Sequence, residues 1–480
     1  MTKFFLYLAL ASPLLVNRSL FFPFITGKAL FFRSTVELAL LGFVIFFAAQ
    51  TASARVLLTK VKQPLFVAIG SFAIIFVLTC LTAVNKTVAF WSNFERAEGG
   101  WQIIHYFLFF GLTALVFGSK KEWMALIRWQ VIVSFLVALY GLAQYIGGFP
   151  LVVSPGSTSG TLGNQSYLAI YLIFSVFYTA WLFLEEKDWR LKTTWLSVAG
   201  FDIFMIFLAK NRASFAALAV GLTTAVLLSA WQLHKTHKER LSKKFLTICY
   251  LISLTAVVLI AISGVGLVFS IKGDVFHDLK PRLWTWSSAL AGFLDKPLLG
   301  WGAENFPFVF DKYYNANHFG IESWFDRTHN IFLEYLIGGG IVLFIAYLTI
   351  FYLFYKRLWR LPRDWFWPLL FSLPIVYLIN GLALFEVLPI YLNLFLFFAF
   401  FINYSNNFAG PEPIRAEPQK HINLAGWFAI YITTFLLGAS LYFTIYLPWQ
   451  KNLLLINAIK TYNKTPQEIF ENYQKALAFY

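Results

Sequence analysis

The chain has 480 residues, of which 59% are hydrophobic, 20% aromatic and only 13% charged. Soluble globular domains carry about 25% charged residues, so this composition excludes an ordinary soluble protein and indicates a polytopic membrane protein. The net charge of +15 is better explained by the membrane than by nucleic acid, because Lys and Arg accumulate in cytoplasmic loops. No nucleic-acid partner is therefore expected. The two cysteines each lie inside an apolar run, which indicates neither a disulfide nor a metal site.

About thirteen apolar stretches are predicted to form helices, so the expected fold class is all-α, a polytopic transmembrane helical bundle of about 12–13 spans. The first stretch is interrupted by Pro13 and by Asn17–Arg18, and it is expected to be a retained span and not a cleaved signal peptide. A long loop at about 272–328 is expected to carry short amphipathic helices. The predicted spans are 4–22, 31–50, 64–83, 101–119, 124–147, 166–184, 194–209, 213–232, 245–271, 329–355, 366–382, 384–403 and 425–448.

The loops predict the orientation of the chain. Lys and Arg are about three times as frequent in one alternating set of loops as in the short loops of the other set, and the richer set is expected to face the cytoplasm. The N-terminus is therefore expected to be cytoplasmic, and the loop at 272–328 and the C-terminus to be external. The predicted domains are a transmembrane domain at 1–448 and an external tail at 449–480.

Three charged or titratable side chains are predicted to meet on the external face. Arg212 and His329 lie at the external starts of predicted spans, and Arg282 lies in the external loop. Helix N-termini carry free N–H groups and partial positive charge, which favour anions, and the guanidinium group of arginine suits phosphate oxygens. A neutral imidazole can accept a proton. Together these residues are candidates for group transfer from a pyrophosphate-linked donor.

Other polar residues of the predicted external face are candidate substrate contacts. They are Arg327 and Asn330 beside His329, Trp301 in a Gly-Trp-Gly turn, Arg96 in the segment FERAEGG, and Asn164 in a Gly- and Ser-rich loop. Every candidate also has a simpler structural interpretation. Arginines at a membrane interface commonly set topology or extend to the headgroups, a lone histidine there is commonly a hydrogen-bonding residue, and a Gly- and Ser-rich loop is an ordinary turn. The segment that follows Arg282 would equally anchor an amphipathic helix at the headgroups.

Five segments occur in a defined order: GTLGNQSYLAIYL, NRASFAALAVG, PRLWTWSSAL, GWGAENF and RTHNIFLEYLIGGG. In this order, with an external loop between the last three, they resemble the O-antigen ligase and polymerase superfamily of bacterial envelope glycosyltransferases. The resemblance implies a metal-independent transferase with a GT-C-like membrane fold and no cofactor. Its donor would be a glycan on undecaprenyl pyrophosphate, and its acceptor a sugar hydroxyl on the outer face of the inner membrane. It also implies functional roles for Arg212, Arg282 and His329, although Asn211 and Ala213 stand where small hydroxyl and glycine residues commonly flank the first arginine.

The segment TPQEIFENYQKALAFY near the C-terminus contains a capping box, with Thr465 as N-cap, Pro466 at the first helical position and Glu468 at the third. It resembles the first helix of a tetratricopeptide repeat, which a ligase-type branch of the superfamily often carries, and such a tail would bind a protein partner. A short amphipathic terminal helix is the alternative.

Three functions fit these features. The first is a ligase that transfers the lipid-linked glycan to lipid A core, a protein or another surface polymer, and the second is a polymerase that extends the lipid-linked chain. The third is a transporter without chemistry. It is disfavoured because the sequence has no internal repeat and no series of ionisable residues through the membrane midplane. Membrane lipids are expected partners in each case.

Overall fold

The computed structural model describes residues 1–49, 59–147, 158–236, 274–408, 422–460 and 465–477. Within these residues every element of regular secondary structure is a helix, which confirms the all-α fold. The predicted span at 245–271 lies outside the described residues, as does the part of the polar loop at 148–157.

Eight helices of the described part are long and apolar enough to cross a membrane, and shorter apolar helices accompany them. The protein is therefore a multi-pass membrane protein built as a helical bundle. The helices in chain order are α1 (Thr2–Ala11), α2 (Thr26–Ala48), α3 (Pro64–Leu81), α4 (Lys86–Trp91), α5 (Gly100–Val116), α6 (Lys120–Ile146), α7 (Gln165–Glu185), α8 (Trp189–Leu208), α9 (Arg212–Thr236), α10 (Asp274–Asp295), α11 (Phe306–Lys312), α12 (Ile331–Leu358), α13 (Trp367–Gly381), α14 (Leu388–Tyr404), α15 (Leu424–Ser440), α16 (Leu447–Ile459) and α17 (Pro466–Leu477).

The N-terminal region departs from the prediction. Helix α1 is followed directly by a 3₁₀ turn at Ser12–Leu14, so the expected single span at 4–22 is wrong. Pro13 explains where the helix ends, because proline lacks the backbone N–H that a helix interior needs. The nonhelical segment that follows is held by Asn452 of α16, whose side-chain oxygen accepts the backbone N–H of Phe21 at 2.7 Å.

Helices α15 and α16 are parts of one continuous helix, Leu424–Ile459. The predicted end at 448 is a proline, yet the helix continues beyond it. A π-helical turn at Leu441–Tyr446 immediately precedes Pro448, and such a widened turn accommodates the proline ring and its missing N–H. The predicted boundary between membrane domain and tail therefore falls inside a helix. The capping box at Thr465 is confirmed: its backbone N–H donates to the Glu468 carboxylate at 2.7 Å, and its hydroxyl accepts the Glu468 N–H at 3.3 Å.

The chain forms two compact units. The first consists of Met1–Ala73, Trp91–Asn164 and Val387–Tyr480, and the second of Ile74–Phe90 and Gln165–Glu386. The second unit contains six of the eight predicted site residues: Arg212, Arg282, Trp301, Arg327, His329 and Asn330.

Within the second unit, helix α12 is interrupted at Gly339–Gly340. The loop between α10 and α11 bonds to the backbone at this interruption. The N–H of Trp301 donates to the oxygen of Ile337 at 2.7 Å, and the N–H of Ile341 donates to the oxygen of Pro297 at 2.8 Å. Backbone groups that the interrupted helix cannot pair internally are thus satisfied by the loop, which is a requirement for buried backbone.

Glycine is required on both sides of this contact. A Cβ atom on Gly300 would lie 2.3 Å from the oxygen of Ile337, and one on Gly340 would lie 2.2 Å from the oxygen of Leu298. Both glycines also have positive φ, at 67° and 61°. The glycines of GWG and GGG therefore allow two backbones to touch, and this contact fixes the loop against the interruption of α12.

Candidate functional site

Two of the predicted residues, His329 and Asn330, lie in the loop that leads into α12. Asn330 is the N-cap of that helix, and its side-chain oxygen accepts the backbone N–H groups of Phe332 at 3.0 Å and Leu333 at 3.3 Å. Two N–H groups at this helix N-terminus, which by the sequence alone would be free for an anion, are therefore satisfied within the protein.

His329 has a left-handed backbone, with a φ of 53°, a conformation that is uncommon outside glycine. Its half-buried imidazole meets two phenylalanine rings edge to face, with centroid distances of 5.6 Å to Phe325 and 5.1 Å to Phe385. These rings hold the imidazole in place while part of it stays accessible, as proton transfer with a substrate requires.

Arg282 extends from α10 to the segment that contains Phe385. Its Nη1 atom donates to the backbone oxygen of Ala383 at 3.2 Å. Because a carbonyl group has no net charge, this bond orients the guanidinium without neutralising it. Glu322 is also near: burial raises the pKa of the Glu322 carboxyl, and the charge of Arg282 opposes that rise.

Helix α10 is joined to the His329 loop by Trp286, whose indole N–H donates to the backbone oxygen of Thr328 at 2.9 Å. The helix is amphipathic, as the sequence predicts for this loop. One face is buried in the second unit, and the opposite face is apolar but exposed. The exposed face carries Leu279, Leu283, Leu290 and Leu294.

Arg212 is the first residue of α9. The preceding Asn211 caps the helix by accepting the backbone N–H of Ser214 at 2.7 Å, and the Ser214 hydroxyl accepts the side chain of Asn380 at 2.6 Å. Arg212 itself is exposed and makes no hydrogen bond or ion pair with the described residues. Asn211, which departs from the superfamily pattern, thus has a local structural role.

The end of α13 and the segment that links it to α14 bring these elements together. Asn380, the penultimate residue of α13, bonds to α9. In the linking segment, the backbone oxygen of Ala383 accepts a hydrogen bond from Arg282, and the ring of Phe385 packs against His329. The three predicted catalytic residues are therefore anchored, directly or through a neighbour two residues away, on one short segment of the second unit.

Residues 195–348, about a third of the chain, match the family model of the O-antigen ligase. This segment is an O-antigen ligase domain. It includes Arg212, Arg282 and His329, and the resemblance to the superfamily is confirmed. The protein is therefore a membrane protein that carries an O-antigen ligase domain, and this domain supports an enzyme of the O-antigen ligase and polymerase type. Among curated proteins, none matches the sequence.

Arg327 of the O-antigen ligase domain is enclosed by carboxylates. Its Nη1 atom donates to Glu334 at 2.6 Å, and its Nη2 atom forms a short ion pair with Glu304. Burial alone would lower the pKa of Arg327, but the two carboxylates outweigh it and hold that pKa above its ordinary value. The charge is thus compensated inside the protein, and the predicted contact of Arg327 with substrate stays a prediction.

Trp301 lies in the interior of the O-antigen ligase domain. Its indole N–H donates to the backbone oxygen of Gly292 at 2.8 Å, and the ammonium groups of Lys296 and Lys312 lie 4.4 Å and 5.2 Å from its ring centroid. These contacts give the Trp301 indole a structural role in packing. Its predicted contact with the substrate stays a prediction.

Arg96 and Asn164 lie in the first unit, outside the O-antigen ligase domain. Arg96 forms an ion pair with Glu95 at 3.4 Å, and Asn164 is exposed. In the same segment as Arg96, His105 is buried and hydrogen-bonds to Glu37 at 2.9 Å. The roles of Arg96 and Asn164 in substrate binding stay predictions.

No sequence pattern singles out Glu386, which follows Phe385 and is 8% exposed. One carboxyl oxygen accepts the hydroxyl of Tyr377, and the other has no hydrogen-bond partner among the described residues. Burial raises the pKa of Glu386 from 4.5 to about 8. Between these values the folded protein keeps a proton that the unfolded chain releases, so the free energy of unfolding decreases as the pH rises toward 8.

Proposed function

We propose that the protein is a glycosyltransferase that moves a glycan from undecaprenyl pyrophosphate to a hydroxyl group of lipid A core or another surface acceptor. The reaction takes place on the external face of the bacterial inner membrane, and the N-terminus lies in the cytoplasm. The O-antigen ligase domain supports this class of reaction. The positive-inside distribution of Lys and Arg supports the orientation.

The observation that carries the proposal is the common anchoring of a cation and an imidazole. Arg282 is held by Ala383 and His329 by Phe385. Consecutive Cα atoms are about 3.8 Å apart, so the two anchoring residues are at most about 7.6 Å apart. This spacing supports the action of both side chains on a single glycosyl pyrophosphate.

The arginines bind the pyrophosphate of the donor. Arg212 is exposed at the N-terminus of α9, where the helix dipole also favours an anion. Arg282 is oriented by its bond to the backbone oxygen of Ala383, and its guanidinium group is suited to phosphate oxygens. Both guanidinium groups stabilise the negative charge that develops on the leaving group.

His329 accepts the proton of the acceptor hydroxyl as the hydroxyl oxygen forms a bond to the anomeric carbon. The bond between that carbon and the pyrophosphate oxygen breaks, and undecaprenyl pyrophosphate leaves with the electron pair. Pyrophosphate is a stable anion, so the leaving group needs no proton. Attack on the side opposite the leaving group inverts the anomeric configuration, and His329 then returns its proton to water.

The test uses purified protein with an undecaprenyl-pyrophosphate-linked glycan, with and without acceptor, and separates the products by gel electrophoresis. Transfer that requires the acceptor supports the ligase. A ladder of longer lipid-linked chains without acceptor indicates a polymerase. No conversion, with donor and acceptor that a known ligase converts, contradicts the proposed enzyme and favours a transporter.

Variants then test the assigned roles. Arg212→Ala, Arg282→Ala and His329→Ala are each expected to lower the transfer rate at least about 100-fold. Arg190→Ala is the matched control for Arg212→Ala, since Arg190 is also an exposed arginine in the first turn of a helix, and it is expected to keep the wild-type rate. Undiminished transfer by the His329→Ala protein would exclude the role of His329 as base.

A further inference from the structure

A buried charged cluster, formed by Arg327, Glu304 and Glu334, lies next to the loop of His329. Arg327 and Glu304 are only 6% and 8% exposed, so water screens their ion pair weakly. The guanidinium joins a carboxylate from the loop before α11 to a carboxylate in the first turn of α12. The cluster therefore connects two segments that are separate in the sequence.

The carboxylate of Glu334 also holds the residue before His329. Its Oε2 atom accepts the backbone N–H of Thr328 at 3.1 Å and the Thr328 hydroxyl at 2.9 Å. The backbone N–H of Asn330 donates to the same hydroxyl oxygen at 3.3 Å. His329 thus lies between two residues that are each fixed by hydrogen bonds.

Arg327 and His329 share a further neighbour. The guanidinium of Arg327 lies 5.5 Å from the centroid of the Phe385 ring, and the imidazole of His329 packs against the same ring at 5.1 Å. A shift of Arg327 would therefore move a ring that supports the imidazole, in addition to the backbone on which the imidazole is carried.

The loop that supplies Glu304 is itself fixed. Three residues earlier, the N–H of Trp301 donates to the oxygen of Ile337 at the interruption of α12. The loop is therefore held against α12 at two levels, by backbone bonds at the interruption and by the charged cluster at the first turn. These two attachments restrain the backbone that leads into α12.

We infer that Arg327, Glu304 and Glu334 are positioning residues that hold His329 in its left-handed conformation and orient its imidazole toward the acceptor hydroxyl. This inference rests on the proposed function. A left-handed backbone is unfavourable for a residue with a Cβ atom and persists only where its surroundings impose it. The cluster supplies that constraint, so Arg327 acts through His329 and not by contact with the substrate.

The test must separate positioning from stability. A single change in a buried ion pair leaves an uncompensated charge and unfolds many proteins, whereas removal of both charges is often tolerated. The double variant Arg327→Met/Glu304→Gln removes one positive and one negative charge, so the net charge of the cluster is unchanged. Glu334 loses the guanidinium, but it is only half-buried and keeps its bonds to Thr328. It is expected to unfold within a few degrees of the wild type in detergent.

In the double variant, kcat for glycan transfer is expected to fall about 100-fold, as it does when a catalytic group is misplaced by about 1 Å. The KM values for donor and acceptor are expected to stay unchanged, because no substrate contact is removed. Hydrogen–deuterium exchange of residues 325–331 is expected to become faster. A folded double variant with wild-type kcat overturns the inference.

A matched control is the pair Lys3→Met/Glu122→Gln in the first unit, which also removes one ion pair without a change in net charge. The Gln keeps the capping box of α6, and kcat and exchange at 325–331 are expected to match the wild type. If the double variant does not fold, the inference is tested with Arg327→Lys, for which kcat, KM and hydrogen exchange at 325–331 are measured in the same way. The lysine keeps the charge but lacks the planar fork that joins two carboxylates.

Different results would contradict the proposed function and this inference. A wild-type protein that transfers no glycan contradicts the proposed function alone, because exchange at 325–331 needs no substrate. Exchange that is the same in the folded double variant and the wild type contradicts the inference, whatever the activity of the wild type.

Discussion

Two roles of Asn330 can be tested separately. Its hydrogen bonds in the structure make it the cap of α12, whereas its position in the sequence predicts that it contacts the substrate. Asn330→Ala removes the acceptor of two N–H groups, at 3.0 Å and 3.3 Å. An N-cap contributes about 0.5–2 kcal/mol. Asn330 is only 7% exposed, so water replaces the amide poorly and the loss is expected near 2 kcal/mol. The first turn of α12 would then open about 30 times more often.

The companion change is Asn330→Ser. Serine is as good an N-cap as asparagine but lacks the amide group that a sugar hydroxyl would contact. The assay compares hydrogen exchange of the amides at 331–334 with the initial rate of glycan transfer. If Asn330 is only a cap, Asn330→Ala is expected to accelerate exchange and slow transfer, and Asn330→Ser is expected to restore both.

Two results would refute this reasoning. Wild-type exchange in the Asn330→Ala protein would mean that the two hydrogen bonds contribute nothing to the helix terminus. Wild-type exchange with strongly reduced transfer in the Asn330→Ser protein would mean that the amide contacts the substrate, as the sequence predicts.

Three further changes test other parts of the second unit. Gly340→Ala is expected to lower the free energy of unfolding by about 2–4 kcal/mol, because the added Cβ would lie 2.2 Å from a backbone oxygen and the residue has a φ of 61°. The thermal midpoint in detergent should fall, whereas Gly338→Ala, whose Cβ would be 3.7 Å from its nearest neighbour, should leave it unchanged. Equal midpoints for the two variants would contradict the close backbone contact. Glu386→Gln should raise the thermal midpoint more at pH 8 than at pH 5, since only the wild type must keep a buried carboxyl protonated. An increase in midpoint that is the same at both pH values would show that this carboxyl does not titrate as stated. Trp286→Phe removes the hydrogen bond to the oxygen of Thr328, and such a bond contributes about 1 kcal/mol. The kcat for glycan transfer is therefore expected to fall by up to about fivefold at constant KM. A raised KM would instead indicate that the indole contacts the substrate.

The sequence predicts the helices well where a long apolar run decides them. Helix α12 was expected at 329–355 and runs from Ile331 to Leu358. Prolines show the limit of such patterns: Pro13 ends a helix, whereas Pro448 lies inside one. The difference comes from the π-helical turn before Pro448, which apolar periodicity does not reveal.

The candidate site was predictable only in part. Arg212 and His329 were found because each lies where a charged segment meets an apolar run. The capping asparagines could also have been found, since asparagine directly before a helix is a start signal. The partners of Arg327 could not, because Glu304 is 23 residues away and only the packing of the loop against α12 selects it from the other acidic residues.

The continuous helix Leu424–Ile459 has 36 residues, which at 1.5 Å per residue gives a rod about 54 Å long. A bilayer has a hydrocarbon core of about 30 Å, so the rod is longer than the span of the acyl chains. Asn452, in the C-terminal half of the rod, accepts the backbone N–H of Phe21, so the length of the rod sets how far along its axis the segment after α1 is held. One helical turn fewer before Asn452 would move that attachment point by about 5.4 Å.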